Sequence, residues 1–156
     1  MKKISLFLLA GILIASSAYA QTLSGKKMKK ILDEVEAAFQ DNLRTGESLN
    51  AEKLSESVDD GLHAGHIVNG IFFDSFDPIL QRVSSGMQGL KSLKYNISDK
   101  RITVLSKDAA IVAVSGHSNT ESISGEKFKT AFAWTFVYRK TGDQWKVIHS
   151  HQSTQR

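Results

Sequence analysis

The chain has 156 residues, 41% of them hydrophobic and 23% charged, with 20 Lys+Arg against 16 Asp+Glu and a formal net charge of +4. That balance is globular, excludes wholesale disorder, and suits one folded domain. Cysteine is absent, which excludes a disulfide framework, a thiolate zinc site and a cysteine nucleophile.

Lys2 and Lys3 open the chain, an apolar run follows from Ile4 to Ala15, and small residues end at Ala18-Tyr19-Ala20. These are the basic n-region, apolar h-region and A-x-A cleavage site of a secretory signal peptide. The run is shorter than the roughly 20 residues a spanning helix needs. Cleavage after Ala20 is therefore expected, with residues 21–156 forming one exported domain in a bacterial periplasm or outside the cell. No later segment reads as a membrane span, so no stable membrane insertion is expected. Half of the +4 charge belongs to Lys2 and Lys3.

Met28, Ile31, Leu32, Val35, Phe39 and Leu43 recur at spacings of three and four. The spacing predicts a helix from Gly25 to Arg44 with one apolar face, and Gly46 as its stop. The Lys26, Lys27, Lys29 and Lys30 cluster on it reads as a solvated face. No aromatic interleaving supports nucleic-acid stacking, and no nucleic acid is expected as a partner. Asn50 predicts the cap of a shorter helix carrying Leu54 and Val58 inward, ended by Asp59-Asp60-Gly61. Leu62 to Phe73 predicts a short strand and a turn at Asn69-Gly70. Pro78, the only proline, predicts the start of a third helix with Asp77 as its cap and Gly86 marking its end.

From Leu90 the apolar period changes to two. Leu93, Tyr95 and Ile97 predict a strand, and Ile102 and Val104 its continuation after a turn at Ser98-Asp99-Lys100. Ala109 to Thr120, Phe128 to Arg139 and Trp145 to Ser153 predict three more strands, with turns at 106–108 and 141–144. Helices first and strands after imply an α+β fold: a roll of helices packed on one side of a curved antiparallel sheet.

The segment Phe132 to Ser153 carries Trp134 and Phe136, then Arg139, Gly142, Trp145-Lys146-Val147-Ile148 and His149-Ser150-His151-x-Ser153. It resembles the final hairpin of the nuclear-transport-factor-like superfamily, closest to its SnoaL-like branch, and is similar to the association domain of calcium/calmodulin-dependent kinases. The upstream order of elements also fits. The resemblance implies a cone-shaped roll with a pocket between sheet and helices, often in a homodimer. It does not imply a single activity, because the superfamily includes isomerases, cyclases, dehydratases, carriers and assembly modules.

His149 and His151 lie two apart on a strand and share a face. With His63, His66 or His117 they could chelate a metal. The resemblance implies structural or pocket-lining histidines instead, and neither metal nor cofactor is expected. Strict alternation puts Trp134, Phe136 and Tyr138 on one face of their strand. The small residues Ala131, Ala133 and Thr135 take the other. The same alternation puts Ser150 and Gln152 opposite Trp145, Val147, His149 and His151. Sequence alone leaves either face free to be concave. The small, mildly polar face is expected to line the cavity, and the resemblance agrees at Gln152. Thr135, Ser150, Gln152, His149, His151 and Trp134 are the candidate ligand-binding residues. A general base, if one exists, would be His63, His66 or Asp74, with Tyr95 as an opposing donor. Asp59, Asp60 and Asp77 read as helix-end groups. The sequence favours a pocket for a small, mostly apolar molecule. An isomerase, dehydratase or cyclase, and a dimeric assembly module, are its alternatives.

Overall fold

A computed structural model describes residues 24–155. The expected signal peptide lies outside those residues. The first element, α1 (Gly25–Glu47), starts at the cap Ser24 and buries Ile31, Val35 and Phe39, the stripe its spacing predicts. Asn50 caps α2 (Ala51–Ser55) through Lys53 N–H at 3.0 Å. A 3-10 turn over Asp60–Leu62 leads into the hairpin of β1 (His66–Val68) and β2 (Ile71–Phe73). Its corner is Asn69-Gly70, both at positive φ (50° and 80°), as a tight two-residue hairpin turn requires.

Next comes α3 (Asp77–Met87), with Pro78 in its first turn. Asp77 was expected as its cap and is not. Phe76 holds the cap position, no capping side chain bonds there, and Gly86 lies inside the helix. Four long strands complete the chain: β3 (Leu90–Val104), β4 (Ala109–Ser122), β5 (Lys127–Thr141) and β6 (Gln144–Gln155).

The six strands form one curved, unclosed sheet in the order β2-β1-β6-β5-β4-β3. Helices pack on it, so the α+β roll stands. The sheet is mixed, not wholly antiparallel: β1 runs parallel to β6, with His66 opposite Ser150 and Val68 opposite Gln152. This pairing joins a chain segment before α3 to the last strand.

The sheet has three register shifts, one of them at the start of β3 between Leu90 and Ser92, and the other two bear on the site. The turn expected at Ser98-Asp99-Lys100 is instead a register shift between Ile97 and Asp99, so β3 continues as one bent strand. Gly116 on β4 faces this bend, where an added Cβ would collide with the Asn96 carbonyl. Glycine is there because only backbone fits. The second bulge lies in β6. Tyr138 pairs with Val147 and Val137 with His149, which leaves Ile148 as the extra residue. An extra residue reverses which face the following side chains occupy.

The core lies between α1 and the sheet. Val35, Phe39, Val112 and Tyr138 are at most 1% exposed there. The Tyr138 hydroxyl accepts from Asn42 Nδ2 at 2.8 Å, so its polar tip is satisfied inside the core. Glu34 ties the same helix to the last hairpin. Its carboxylate accepts from Lys140 Nζ at 2.7 Å and from Trp145 Nε1 at 2.8 Å.

Candidate functional site

The bulge at Ile148 decides what faces the helices. Before it, Trp145 and Val147 point to the core. After it, Ser150 does, and the buried positions of β6 fall at 145, 147 and 150. Strict alternation had separated Ser150 and Gln152 from Trp145 and Val147; the bulge brings all four to one face. The same face of β5 carries Phe132, Trp134, Phe136 and Tyr138.

Between this face and the helices lies a cavity of about 140 Å³. Phe39, Leu43 and Gly46 of α1 line one side, and Ile79, Val83 and Met87 of α3 another. Trp134, Phe136 and Val147 form the sheet wall, with Tyr95 beside them. The polar groups on the wall are Asn42, Ser57, His66, Ser150 and Gln152, besides the Tyr95 hydroxyl and the Trp134 indole. The expectation that the small face lines the cavity is therefore corrected. The aromatic face does, joined by Ser150 and Gln152.

Ala133, Thr135, His151 and Ser153 instead line a broader groove of about 610 Å³, with Ala113, Ser115, Asp99, Lys100 and Arg101. That groove lies on the other face of the sheet. Of the six candidate ligand-binding residues, Trp134, Ser150 and Gln152 reach the inner cavity. Thr135 and His151 belong to the outer groove. His149 lines neither. Its Nδ1 lies 2.8 Å from the Gly65 carbonyl, and its ring stacks at 6.4 Å on that of His66.

The polar end of the cavity is an ordered chain. His66 is fully buried. Its Nε2 lies 3.0 Å from Asp60 Oδ1 and its Nδ1 lies 3.0 Å from Ser150 Oγ. Gln152 Nε2 donates to the same Ser150 oxygen at 3.1 Å. An ionised carboxylate only accepts, so Nε2 carries the hydrogen, and in the neutral ring Nδ1 accepts from the Ser150 hydroxyl. The other Asp60 oxygen accepts from Phe76 N–H at 2.7 Å. One carboxylate thus orients the buried histidine and holds the start of α3.

Of the four catalytic candidates, the structure brings His66 and Tyr95 to the cavity. His63 and Asp74 are exposed and do not line it. The Tyr95 ring packs edge-on to Trp134 at 5.3 Å. Burial pushes the Tyr95 phenol up to about 12, with the Glu47 carboxylate adding to the shift, so the hydroxyl stays a donor. Gly46 passes close by it: an added Cβ would stand 3.0 Å from Tyr95 Oη. The expected helix stop is thus a contact point inside α1, which runs on to Glu47.

Sequence reasoning missed Asp60. Its position beside Gly61 reads as a turn, and nothing in the spacing links it to His66. Among the described residues no group of three His, Cys, Asp or Glu side chains is gathered as a metal site would require. No helix among them is long and apolar enough to cross a membrane.

Chemically, a carboxylate behind a histidine is the arrangement that orients a general base. Here the ring nitrogen facing the cavity is already engaged by Ser150. A proton taken from a bound molecule would reach His66 through that hydroxyl.

Residues 25–156 match the family model of the calcium/calmodulin dependent protein kinase II association domain. A proposed dehydratase of the NTF2-like family from Streptomyces avermitilis is 19% identical. The match covers 83% of this chain and 99% of that one, at a TM-score of 0.68. A proposed calcium/calmodulin dependent protein kinase II association domain from Xanthomonas campestris is 20% identical over 78% of this chain and 86% of that one, TM-score 0.68. A hexachlorocyclohexane dehydrochlorinase (LinA) Type2 is 12% identical over 85% and 90%, TM-score 0.69. At these identities the solved structures show a shared fold alone. No curated protein matches the chain. The family model spans nearly every described residue, and the chain belongs to the calcium/calmodulin dependent protein kinase II association domain family, on an NTF2-like α+β fold.

Proposed function

We propose that the protein binds one small, mostly apolar molecule in the cavity between its sheet and its helices. The observation that carries this reading is the cavity's composition: aromatic and aliphatic walls closing on a short polar cluster. Ligand sites combine these features, the apolar walls supplying affinity and the few polar groups orientation. The volume of about 140 Å³ sets the scale, since an apolar cavity of about 150 Å³ admits benzene. Solved structures of this fold include proteins named as dehydratase and dehydrochlorinase, which supports a small-molecule role for the fold.

The test is native mass spectrometry of the protein purified from its own host. A co-purifying small molecule is expected, and Val83→Trp, which fills the cavity, is expected to lose it. A ligand retained in full by a folded Val83→Trp protein would place binding elsewhere. We extend the proposal to export, on residues 1–20 alone. The intact mass should then be that of a chain starting at Gln21.

A second reading is favoured by the chain Asp60–His66–Ser150. In it the protein is an isomerase, dehydratase or cyclase, with His66 as base acting through Ser150. A buried histidine held by a carboxylate is more than a passive pocket needs. Turnover that falls with His66→Gln while ligand binding persists would support it.

Oligomerisation is supported by membership of an association-domain family. We propose a homodimer in which the outer groove, with exposed Ala113 and Ala133 and with Thr135 and His151, meets a second copy. Small side chains on a sheet face allow close approach of another sheet.

A further inference from the structure

We propose that the cavity's occupant is a neutral, single-ring molecule bearing a hydroxyl, which donates its hydrogen to Oε1 of Gln152. This rests on the binding reading above and adds the ligand's chemistry. The direction of the buried hydrogen-bonded chain carries it. The Asp60 carboxylate only accepts, so His66 Nε2 donates to it and Nδ1 accepts. Ser150 therefore gives its one hydrogen to His66, and its oxygen alone is left to meet Gln152. The Gln152 amide must then turn Nε2 to Ser150, at 3.1 Å, which leaves Oε1 as the open end. Every hydrogen in the chain points towards Asp60, and what its far end can take is one more donor.

That end lies at the cavity. Gln152 lines it, while the neighbours His151 and Ser153 line the outer groove. The amide nitrogen sits on the hydroxyl of Ser150, another cavity-wall residue, so the amide head belongs to the polar end. Oε1 has no hydrogen-bond partner among the described residues. It is not sealed off either: among those residues, the buried side-chain polar atom without a partner is Trp134 Nε1, so Oε1 keeps accessible surface. A wholly apolar ligand would cover this oxygen and leave it unpaired, which is costly. A hydroxyl would pair it. The walls set the ligand's charge. No lysine or arginine lines the cavity, so an anion finds no fixed cation. Both Asp60 oxygens are engaged, by His66 and by Phe76 N–H, so a cation finds no free carboxylate. The volume of about 140 Å³ holds about one ring.

Phenol, toluene and anisole separate these demands. Phenol carries the donor, toluene replaces the hydroxyl with a methyl, and anisole keeps the oxygen without its hydrogen. Each is titrated, followed by NMR, into the purified protein and its Gln152→Leu variant. Gln152→Leu is expected to weaken phenol about tenfold and to leave toluene and anisole within about threefold. In the unmodified protein, the side-chain carbonyl carbon of Gln152 is expected to shift downfield with phenol and not with toluene, a readout that needs no variant. Equal weakening of phenol and toluene, equal weakening of phenol and anisole, or a Gln152 carbonyl carbon that phenol leaves unmoved would overturn the inference while leaving cavity binding intact. If neither phenol nor toluene binds the unmodified protein, the binding reading falls with it.

Discussion

The Ser150 hydroxyl lies 3.0 Å from Nδ1 of His66, 84 residues away along the chain. The contact exists because β1 runs parallel to β6 and sets the two residues opposite each other. It exists also because the bulge at Ile148 turns Ser150 inward. With Asp60 on the other ring nitrogen, the contact makes a buried hydrogen-bonded chain at the end of an aromatic cavity.

That chain makes His66 a stability determinant whatever else it does. His66→Ala leaves the Ser150 hydroxyl and the Asp60 carboxylate without their partner. A loss of roughly 2–4 kcal/mol is expected, read as a lower urea midpoint at unchanged slope. Asp60→Asn keeps one oxygen to accept and should cost less than Asp60→Ala, which also frees Phe76 N–H.

Glu34 gives the fold an acid-side sensitivity. The Lys140 and Trp145 hydrogen bonds hold its carboxyl below the usual value of 4.5. A depressed carboxyl stabilises the fold at pH above its unfolded value and loses that contribution as pH falls through the folded one. Thermal melts of the parent and of Glu34→Gln should therefore differ most near neutral pH and converge as pH falls through the lowered Glu34 value. A gap that persists undiminished at low pH would count against the carboxylate's role.

Two glycines should respond to alanine with opposite signs. Gly86 is exposed inside α3, and an added Cβ meets nothing within 4 Å. Gly86→Ala should stabilise by about 0.5–1 kcal/mol. Gly116→Ala drives its Cβ into the Asn96 carbonyl and should destabilise by roughly 2–4 kcal/mol, or shift the β3 bulge. Chemical denaturation of the pair measures both.

The outer groove predicts the quaternary state. Sedimentation at micromolar concentration should show a dimer. Ala133→Arg, aimed at the groove and away from the cavity, should give a folded monomer with ligand binding retained. A dimer that survives this change would move the interface elsewhere.

The helices were legible because Ile31, Val35 and Phe39 repeat with the helical period, and β4 and β5 because alternation is a backbone property. The turn at Asn69-Gly70 was legible from turn chemistry, though not the pairing of two strands across it. The bulges were not. A bulge is set by how two strands register, and neither Ser98-Asp99-Lys100 nor Ile148 differs locally from a turn or a plain strand residue. That is why the phase of β6 was read correctly to Val147 and reversed from His149 on. It is also why strict alternation groups Thr135 with Ser150 and Gln152, and His151 with Trp145 and Val147. Asp60 was hidden for a similar reason, since its partner His66 is fixed by the path of a loop and not by any periodicity.

The central claim is that the aromatic cavity, not the outer groove, takes a small apolar molecule. Methyl-labelled NMR during titration with ethylbenzene tests it directly, because the two sites carry different methyl groups. Saturable shifts are expected at Leu43, Ile79, Val83 and Val147, which line the cavity, with Ala113 and Ala133 of the groove unmoved. Shifts confined to Ala113 and Ala133, or none at any concentration ethylbenzene can reach in water, would contradict the account.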